Sequence, residues 1–347
     1  MKALIDRLNA EKTLSRAEWT ALFAGFDDET REYAAEIARG IARARFGNGV
    51  YFRGLIEFTN ICRNNCYYCG IRAGNACAAR YRLTKDEILG CCARGYAAGF
   101  RTFVLQGGED PFFDTERLSG IVAAIRAGYP DCAITLSVGE MARGDYETLF
   151  RAGANRYLLR HETANRAHYE RLHPDRMSFD NRMRCLSDLK SIGYQTGCGM
   201  MIGSPFQTPE CLADDMLFLR AFEPQMIGTG PFLPHHDTPF AGEAPGSVGL
   251  TLFVLSLCRI MLPDVLLPAT TALGTASEDG RRRGVLAGAN VIMPNLSPAA
   301  RRKDYMLYDN KATGGEDAAE TLSVLRAHLS EIGYELRVGR GDYGGNR

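Results

Sequence analysis

Cys62–Cys69, with the sequence CRNNCYYC, follows an apolar run, Leu55–Phe58, that reads as a β-strand. Its three thiols, Cys62, Cys66 and Cys69, are spaced four and three residues apart. Iron–sulfur clusters are usually held by four cysteine thiolates, so these three would hold three irons of a four-iron cluster and leave the fourth open. A metal site with one open position leaves room for a substrate or a cofactor. The spacing therefore indicates a cluster that takes part in chemistry.

Two other interpretations of these cysteines stay open at this point. Three cysteines also suit a partial zinc site, or simple packing as small apolar side chains. Zinc sites usually add a second C-x2-C pair or histidines further along the chain, and no second C-x2-C pair occurs here. The other cysteines lie in apolar segments without ligand spacing, where core packing is the expected role. They are Cys77, Cys91, Cys92, Cys132, Cys185, Cys198, Cys211 and Cys258.

Composition limits the class of protein. The chain has 347 residues, 46% of them apolar, which suffices for one large barrel or two ordinary domains. Its 41 basic and 41 acidic residues cancel, so we expect no nucleic-acid partner and no membrane partner. Residues 1–19 do not read as a secretory signal, and the most apolar region, Leu250–Ala269, is interrupted by Arg259, Pro263 and Asp264. We therefore expect a cytoplasmic protein with reduced thiols, whose cluster requires anaerobic conditions.

Short apolar runs alternate with longer helical segments along most of the chain. Thr84 and Pro209 have the character of helix starts, and Gly99, Gly153 and Gly193 that of helix ends. The apolar runs are Leu55–Phe58, Thr102–Leu105, Ala133–Leu136, Arg156–Leu159, Gln195–Met201, Gln225–Ile227, Leu266–Ala269 and Asn290–Met293. Eight strands that alternate with helices predict an α/β fold, the (βα)8 TIM-type barrel.

The segments on either side of the barrel have their own patterns. We expect residues 1–50 to form an N-terminal helical extension, with a capping box that starts at Ser15. Residues 51–310 would form the barrel, and residues 311–347 a C-terminal helix and tail. The tail is expected to contain one amphipathic helix, Asp317–Ile332, followed by a glycine-rich end without fixed structure.

Polar segments follow the first four predicted strands. They are the cysteine loop, Gln106–Asp110, Ser137–Glu140 and Arg160–Glu162. In a barrel of this type the chemistry lies at the carboxyl ends of the strands. A charged side chain at the end of a buried strand is costly unless it is paired or solvated in a cavity. These segments therefore predict one shared polar pocket.

Several segments together resemble a known family. The cysteine loop and the turn Gly107–Pro111 resemble the signature and the glycine-rich turn of the radical S-adenosylmethionine (SAM) enzymes. The match becomes more specific with five segments that resemble the FeFe-hydrogenase maturase family HydE, which is related to biotin synthase and methylornithine synthase. Those segments are Glu57–Cys62, Val104–Pro111, Arg160–Asn165, Pro268–Gly274 and Ala289–Asn295. The resemblance runs from about Tyr51 to Tyr308.

The resemblance implies two cofactors, a [4Fe-4S] cluster on the three cysteines and SAM on the open iron. Reduction of the cluster would then cleave SAM and yield a 5'-deoxyadenosyl radical. The implied cofactor contacts are Tyr68, Gly107, Gly108, Glu109, Glu162, Arg182, Met293 and Tyr305. A carboxylate such as that of Glu162 suits the cofactor's amine or ribose hydroxyls, and a guanidinium such as that of Arg182 suits its carboxylate.

The resemblance also implies a pocket for a small anion or substrate deeper in the barrel. Its residues would be Gln106, Thr135, Arg160, Thr270 and Thr271. The guanidinium of Arg160 suits a carboxylate or a metal-bound cyanide. The implied substrate is an organometallic one, a single iron that carries cysteine, carbon monoxide and cyanide and is used to assemble the H-cluster of FeFe-hydrogenase. Implied partners are a reductant such as ferredoxin or flavodoxin, and other hydrogenase maturases.

Two departures from the family pattern limit these implications. No cysteine follows Cys258, which excludes the second cluster that some members carry near the C-terminus. Gly107 stands where a serine is expected, so a paralogue that acts on another small carboxylate or thiol substrate is one alternative. An amino-acid mutase similar to methylornithine synthase is another. A carrier that only holds a cluster is a third, and it would not cleave SAM.

Overall fold

The computed structural model describes residues 1–312 and 318–344. Its strands are β1 (Gly49–Phe52), β2 (Gly54–Thr59), β3 (Thr102–Gly107), β4 (Ala133–Ser137), β5 (Arg156–Leu158), β6 (Gln195–Cys198), β7 (Met201–Ile202), β8 (Met226–Ile227), β9 (Gly230–Pro231), β10 (Val291–Ile292) and β11 (Glu335–Arg337). Strands β2, β3, β4, β5, β6 and β8 form one parallel sheet in that order. Parallel strands in chain order, with a helical crossover between them, are the repeating unit of a βα barrel.

Single bridges close this sheet into a ring. Met226 of β8 pairs with Leu266, and Pro268 pairs with Val291 of β10. Leu55 of β2 pairs in turn with Asn295, which follows β10. The predicted (βα)8 barrel is confirmed. The place of its seventh strand is taken by the extended segment that contains Leu266 and Pro268, which makes only single bridges to its neighbours and is therefore not assigned as a strand.

In the described part of the chain, eight helices begin after a residue whose side chain accepts one of their free backbone N–H groups. The helices are α1 (Lys2–Glu11), α2 (Arg16–Ala24), α3 (Asp28–Phe46), α4 (Lys85–Ala97), α5 (Thr115–Gly128), α6 (Arg143–Arg151), α7 (Arg166–Leu172), α8 (Phe179–Ile192), α9 (Pro209–Phe222), α10 (Val248–Met261), α11 (Thr271–Ala276), α12 (Gly280–Leu286), α13 (Ala299–Arg302) and α14 (Ala318–Ser330). Ser15 and Thr84 form capping boxes with glutamates three residues later, as predicted. Gly193 ends α8 at a φ of 105°, which glycine adopts without strain.

The most apolar helix, α10, is a core helix. It packs against α3, α1, α12 and β9. Its Arg259 is fully buried, and its guanidinium donates to the carbonyl oxygens of Gly288, Pro263 and Val265 and to the side chain of Asn290. Burial lowers the pKa of Arg259 to about 9. Within the described ranges, no helix is both long and apolar enough to span a bilayer.

The C-terminal segment differs from the prediction. Strand β11 pairs in parallel with β1, so the glycine-rich end has a fixed structure up to residue 344, and the expectation of disorder was wrong there. The reason is Arg156, a fully buried residue of β5 whose Nη2 lies 2.7 Å from Oδ1 of Asp342 and 2.7 Å from the carbonyl oxygen of Arg340. A buried guanidinium requires such acceptors. The tail thereby closes the amino-terminal end of the barrel; Asp317 of the predicted helix lies outside the described residues.

Candidate active site

The predicted site residues come together around one cavity of about 330 Å³. The cavity lies inside the barrel, and the loops at the carboxyl ends of the strands form its rim. The residues predicted from sequence that line it are Cys62, Cys66, Tyr68, Cys69, Gln106, Gly107, Gly108, Glu109, Thr135, Arg160, Glu162, Arg182, Thr270, Thr271, Met293 and Tyr305. The cavity thus joins the candidate cofactor residues to the candidate substrate residues, although their individual roles stay predictions.

The glycine-rich turn packs directly on the cysteine loop. The backbone N–H of Glu109 donates to Sγ of Cys62 at 3.4 Å. A Cβ atom on Gly108 would lie 2.3 Å from the carbonyl oxygen of Ile61 and 2.7 Å from Cβ of Cys62, so only glycine fits there. A Cβ atom on Gly107 would lie 2.8 Å from a methyl carbon of Thr59. This close contact is a physical reason for glycine at the position where a serine was expected.

The chemistry of the three thiols tests whether a cluster fits. All three cysteines are partly buried in the loop that follows β2. Burial raises the pKa of Cys66 to about 12, and it also raises the pKa values of Cys62 and Cys69. Thiolates at this place therefore require a strong local positive charge, which iron supplies and which releases the protons on binding. Three sulfur donors in one loop, at the mouth of a cavity, fit a cluster with one open iron.

Glu162 has a strained backbone at the rim of the cavity. Its φ is 66°, in the left-handed region, and its N–H donates to the carbonyl oxygen of Gly199 at 2.9 Å. Its Oε2 lies 3.5 Å from Nη2 of Arg160, which donates to the carbonyl oxygen of Met200. Neither Glu162 Oε2 nor Arg160 Nε has a hydrogen-bond partner within the described residues. Both groups therefore keep hydrogen-bonding capacity for a ligand, and strain of this kind is common at functional sites.

A buried pair behind Glu162 was missed from the sequence. His161 and Asp215 are both fully buried, and His161 Nε2 lies 3.2 Å from Asp215 Oδ1. The other ring nitrogen of His161 accepts the N–H of Gly199 at 3.2 Å, and the same carboxylate oxygen accepts the N–H of Ala164. The pair thus holds both ends of the turn that contains Glu162. No spacing rule connects His161 with a residue of α9, so the sequence carried no signal for it.

Arg182 is oriented by a carboxylate. Its Nε donates to Oε1 of Glu140, and its Nη1 donates to the carbonyl oxygen of Arg160. The Arg182 side chain is 7% exposed, and it lines the cavity. Glu140 was noted at a strand end but was not predicted as a site residue. Because Glu140 and a carbonyl oxygen fix the guanidinium, Arg182 presents its remaining N–H groups in one direction.

Tyr68 is held by a neutral histidine. The Tyr68 hydroxyl lies 3.1 Å from Nε2 of His173, whose Nδ1 lies 2.9 Å from the carbonyl oxygen of Tyr169. Burial lowers the pKa of His173 to about 3, so the ring is neutral at physiological pH. The ring N–H faces the carbonyl oxygen, and Nε2 accepts the proton of Tyr68. His173 was not predicted from the sequence.

The deeper wall of the cavity carries neutral polar groups and one ion pair. The Thr135 hydroxyl has no hydrogen-bond partner within the described part of the chain, whereas the Thr270 hydroxyl caps α11. Lys311 Nζ lies 2.7 Å from Oε1 of Glu57, and Asn295 donates to the other oxygen at 2.8 Å. Burial raises the pKa of Glu57, against the opposing charge of Lys311.

The segment that carries Lys311 also closes over the cavity. Tyr305 lies in this segment, and its hydroxyl accepts a 3.4 Å hydrogen bond from Gln106. Lys311 Nζ lies 5.1 Å from the centre of the Tyr305 ring. The ion pair with Glu57 of β2 and the hydrogen bond from Gln106 of β3 fasten the segment to these two strands. Neither Glu57 nor Lys311 was predicted as a site residue.

Comparison with known proteins agrees with this arrangement. The profile of the radical SAM superfamily matches residues 56–219. The [FeFe] hydrogenase maturase subunit HydE of Thermotoga maritima is 44% identical over 93% of this chain and 90% of that protein. The 3-methylornithine synthase of Methanosarcina barkeri is 32% identical over 80% of this chain and 78% of that protein.

Solved structures give the same answer for the fold. The crystal structure of methylornithine synthase (PylB) matches with a TM-score of 0.83 at 27% identity, over 96% of this chain and 97% of that chain. The hydrogenase maturase HydG, at 19% identity, shares the fold with a TM-score of 0.79 over 96% of this chain and 74% of that chain. The cofactors are those of the superfamily, a [4Fe-4S] cluster and SAM, and the cysteine loop fits them. The chain belongs to the radical SAM superfamily, as a homologue of the hydrogenase maturase subunit HydE.

Proposed function

We propose that this radical SAM enzyme acts in assembly of the FeFe-hydrogenase H-cluster. Its substrate would be a small iron complex that carries cysteine, carbon monoxide and cyanide, and its partners would include other hydrogenase maturases. The observation that carries the proposal is the 44% identity to HydE over 93% of the chain. The single cavity lined by the predicted cofactor and substrate residues supports it. Residues 51–310 would form the catalytic barrel, flanked by residues 1–50 and 311–347.

One set of residues binds the cofactors, and another binds the substrate. When bound, the cluster and SAM supply a 5'-deoxyadenosyl radical. Cys62, Cys66 and Cys69 hold the cluster. Arg182, oriented by Glu140, binds the carboxylate of SAM, since a fixed guanidinium forms strong, directional bonds to carboxylates.

Glu162 and Arg160 lie at the boundary between the two ligands. Oε2 of Glu162, which forms an ion pair with Arg160 but has no hydrogen-bond partner within the described residues, accepts hydrogen bonds from the amine or the ribose hydroxyls of SAM. Arg160 binds the anionic part of the substrate, and the free hydroxyl of Thr135 orients it. The segment with Tyr305 and Lys311 excludes water from the cavity, which strengthens these polar contacts.

Two experiments test the proposal in sequence. Anaerobic reconstitution with iron and sulfide, followed by electron paramagnetic resonance with and without SAM and chromatography for 5'-deoxyadenosine, should show a four-iron signal that shifts with SAM and a cleavage product. The chain is then added to a hydrogenase maturation mixture that lacks only its HydE component, and hydrogen evolution is measured. Restored hydrogen evolution supports the proposal.

The variant Arg160→Gln separates substrate binding from cofactor binding. It should fail to restore hydrogen evolution, because the substrate loses its charged partner. It should retain the SAM-dependent shift of the spectrum, because SAM keeps Arg182 and a Glu162 carboxylate that has lost only its ion pair with Arg160. A methylornithine-synthase-like mutase is the second candidate, favoured by the 32% identity and the TM-score of 0.83. Conversion of lysine without any hydrogen evolution would select that candidate.

A further inference from the structure

Cleavage of SAM requires an electron from outside the chain. One C-x3-C-x2-C set is present in the sequence, and the remaining cysteines lack ligand spacing. An external reductant must therefore bring its electron to the surface above Cys62–Cys69. The residue types and charges of that surface indicate which kind of protein binds there.

A patch of aromatic residues and arginines lies beside the cysteine loop. Its Phe206 and Arg171 are exposed, Tyr67 and Arg72 are half-buried, and Phe240 is buried. We call it the Phe206 patch, and it consists of Tyr67, Arg72, Arg171, Phe206 and Phe240. The Phe206 and Tyr67 rings each lie 6.0 Å from the Phe240 ring, centre to centre. The Arg171 guanidinium lies 3.3 Å from the centre of the Phe206 ring, and that of Arg72 lies 5.9 Å from the Tyr67 ring. Tyr67 follows Cys66 directly, so the patch extends from the cluster loop to the solvent.

Phe206 is unusual within this patch. It is 43% exposed, and its φ is 68°, a left-handed conformation that bulky residues rarely adopt. Its ring packs on Phe240 while nearly half of the residue stays exposed, so packing alone is a weak reason for phenylalanine there. Aromatic residues and arginines are the residue types enriched at protein interfaces. The exposure and the strained backbone together indicate a contact residue for a partner.

The charge around the patch identifies the kind of partner. Residues 62–80 contain three arginines and no acidic residue, and residues 166–177 contain three arginines with Glu170 and Asp175. Because Arg63 pairs with Glu109 and Arg166 pairs with Asp180, the six arginines face four carboxylates, which leaves two positive charges on a chain whose formal net charge is zero. Within the described residues, no carboxylate lies within ion-pair distance of Arg171 or Arg176. A localised positive patch attracts an acidic partner and speeds its association.

The two segments form one surface. The N–H of Tyr67 donates to the carbonyl oxygen of Leu172 at 3.0 Å, and Arg176 donates to the carbonyl oxygen of Arg63 at 2.5 Å. Cys66 Sγ lies 3.7 Å from Sδ of Met177. A partner seated on residues 166–177 therefore lies next to the loop that holds the cluster cysteines.

We propose that the Phe206 patch is the docking surface for a small acidic ferredoxin. The inference rests on the reductive SAM chemistry of the enzyme and deepens the partner given under the proposed function. The ferredoxin loses one electron and the enzyme gains it at its cluster, with no exchange of atoms. Plant-type ferredoxins are low-potential electron donors, and redox partners typically bind through small, transient interfaces.

Formation of 5'-deoxyadenosine, driven in separate reactions by reduced ferredoxin, by reduced flavodoxin and by dithionite, tests the proposal. Arg171→Glu reverses a patch charge, and Phe206→Gly removes the ring while relieving the backbone strain, which protects the fold. Each variant should raise the KM for ferredoxin about tenfold at low ionic strength, and salt should reduce the effect of Arg171→Glu. The dithionite-driven rate should not change. Arg151→Glu, the same charge change at the far end of the barrel, is the matched control and should leave both rates unchanged.

Three results would overturn the docking surface. One is an unchanged KM for ferredoxin in both patch variants. Another is an equal loss of the dithionite-driven rate, which would assign the patch to the fold or the cluster. A loss confined to flavodoxin-driven cleavage would overturn the choice of carrier. Because wild-type cleavage with dithionite is measured in the same series, a failure of the proposed function is distinguished from a failure of docking.

Discussion

Replacing Lys311 by methionine should destabilise the protein in a way that depends on pH. Lys311 Nζ lies 2.7 Å from Oε1 of Glu57, and the two side chains are 3% and 0% exposed. Methionine keeps the apolar stem and removes the ammonium, which leaves Glu57 as a buried carboxyl with Asn295 as its remaining partner. A carboxyl in such surroundings avoids the buried charge by binding a proton.

The cost of that protonation sets the size of the effect. An ordinary glutamate has a pKa of 4.5. Each pH unit above this value adds about 1.4 kcal/mol to the cost of keeping the proton bound. Relative to wild type, the free energy of unfolding should therefore fall by at most about 2 kcal/mol at pH 6 and at most about 5 kcal/mol at pH 8, because burial already raises the pKa of Glu57 in the wild type. The sign follows because the folded variant binds one proton more than its unfolded chain at Glu57, so its stability falls as pH rises.

Urea unfolding of the anaerobically reconstituted enzyme at pH 6 and pH 8, followed by circular dichroism, measures the effect. The double variant Glu57→Gln/Lys311→Met is the matched control. With no ionisable group left in the pair, it should regain most of the lost stability and show no added pH dependence. A loss of equal size at both pH values, or one below about 1 kcal/mol at pH 8, would refute the reasoning.

Three further predictions concern the cluster, the cofactor turn and the tail. Cys66→Ser should abolish the cluster absorbance and SAM cleavage. Cys77→Ser, which changes an exposed cysteine without ligand spacing, should retain the absorbance and the cleavage, and their loss in both variants would contradict the cluster assignment. Asp215→Asn should raise the Kd for SAM about tenfold in spectroscopic titrations while the cluster signal stays intact, because the turn that contains Glu162 loses the carboxylate that holds it. An unchanged Kd would show that His161 and Asp215 do not position Glu162. Although partial burial opposes it, the charge of Arg156 lowers the pKa of Asp342 to about 2. Asp342→Asn should therefore lower the free energy of unfolding by about 1–2 kcal/mol at pH 7, and this difference should fade between pH 4 and pH 2 in acid titrations, as the wild-type carboxyl gains its proton.

Local patterns predicted the barrel and the position of its site. The spacing of Cys62, Cys66 and Cys69 depends on a few consecutive residues, and the polar strand ends meet because parallel strands all end at one edge. The turn Gly107–Pro111 could be recognised for the same reason, since its glycines are needed for contacts within a short stretch of backbone. Features of this kind are readable because each is determined within one loop or one strand.

The parts that were missed depend on contacts between distant segments. Glu57 and Asn295 are 238 positions apart, and nothing near either residue indicates that they share a carboxylate contact. The same holds for His161 and Asp215, which are 54 positions apart. The glycine-rich end looked unstructured because its order depends on Arg156, a buried charge on a distant strand. Buried charged residues were therefore the main features that sequence patterns did not assign.

The tail that closes the barrel has a consequence for the kinetics of the enzyme. With Arg156 and Asp342 sealing the amino-terminal end, ligands reach the cavity past the cysteine loop. Thr135 pairs in register with Arg156, so it lies near the sealed end, whereas Glu162 lies beyond the end of β5. A substrate bound at Thr135 must therefore arrive before SAM, and the products must leave in the reverse order. We expect a compulsory-order mechanism, in which excess SAM slows turnover by blocking the entrance.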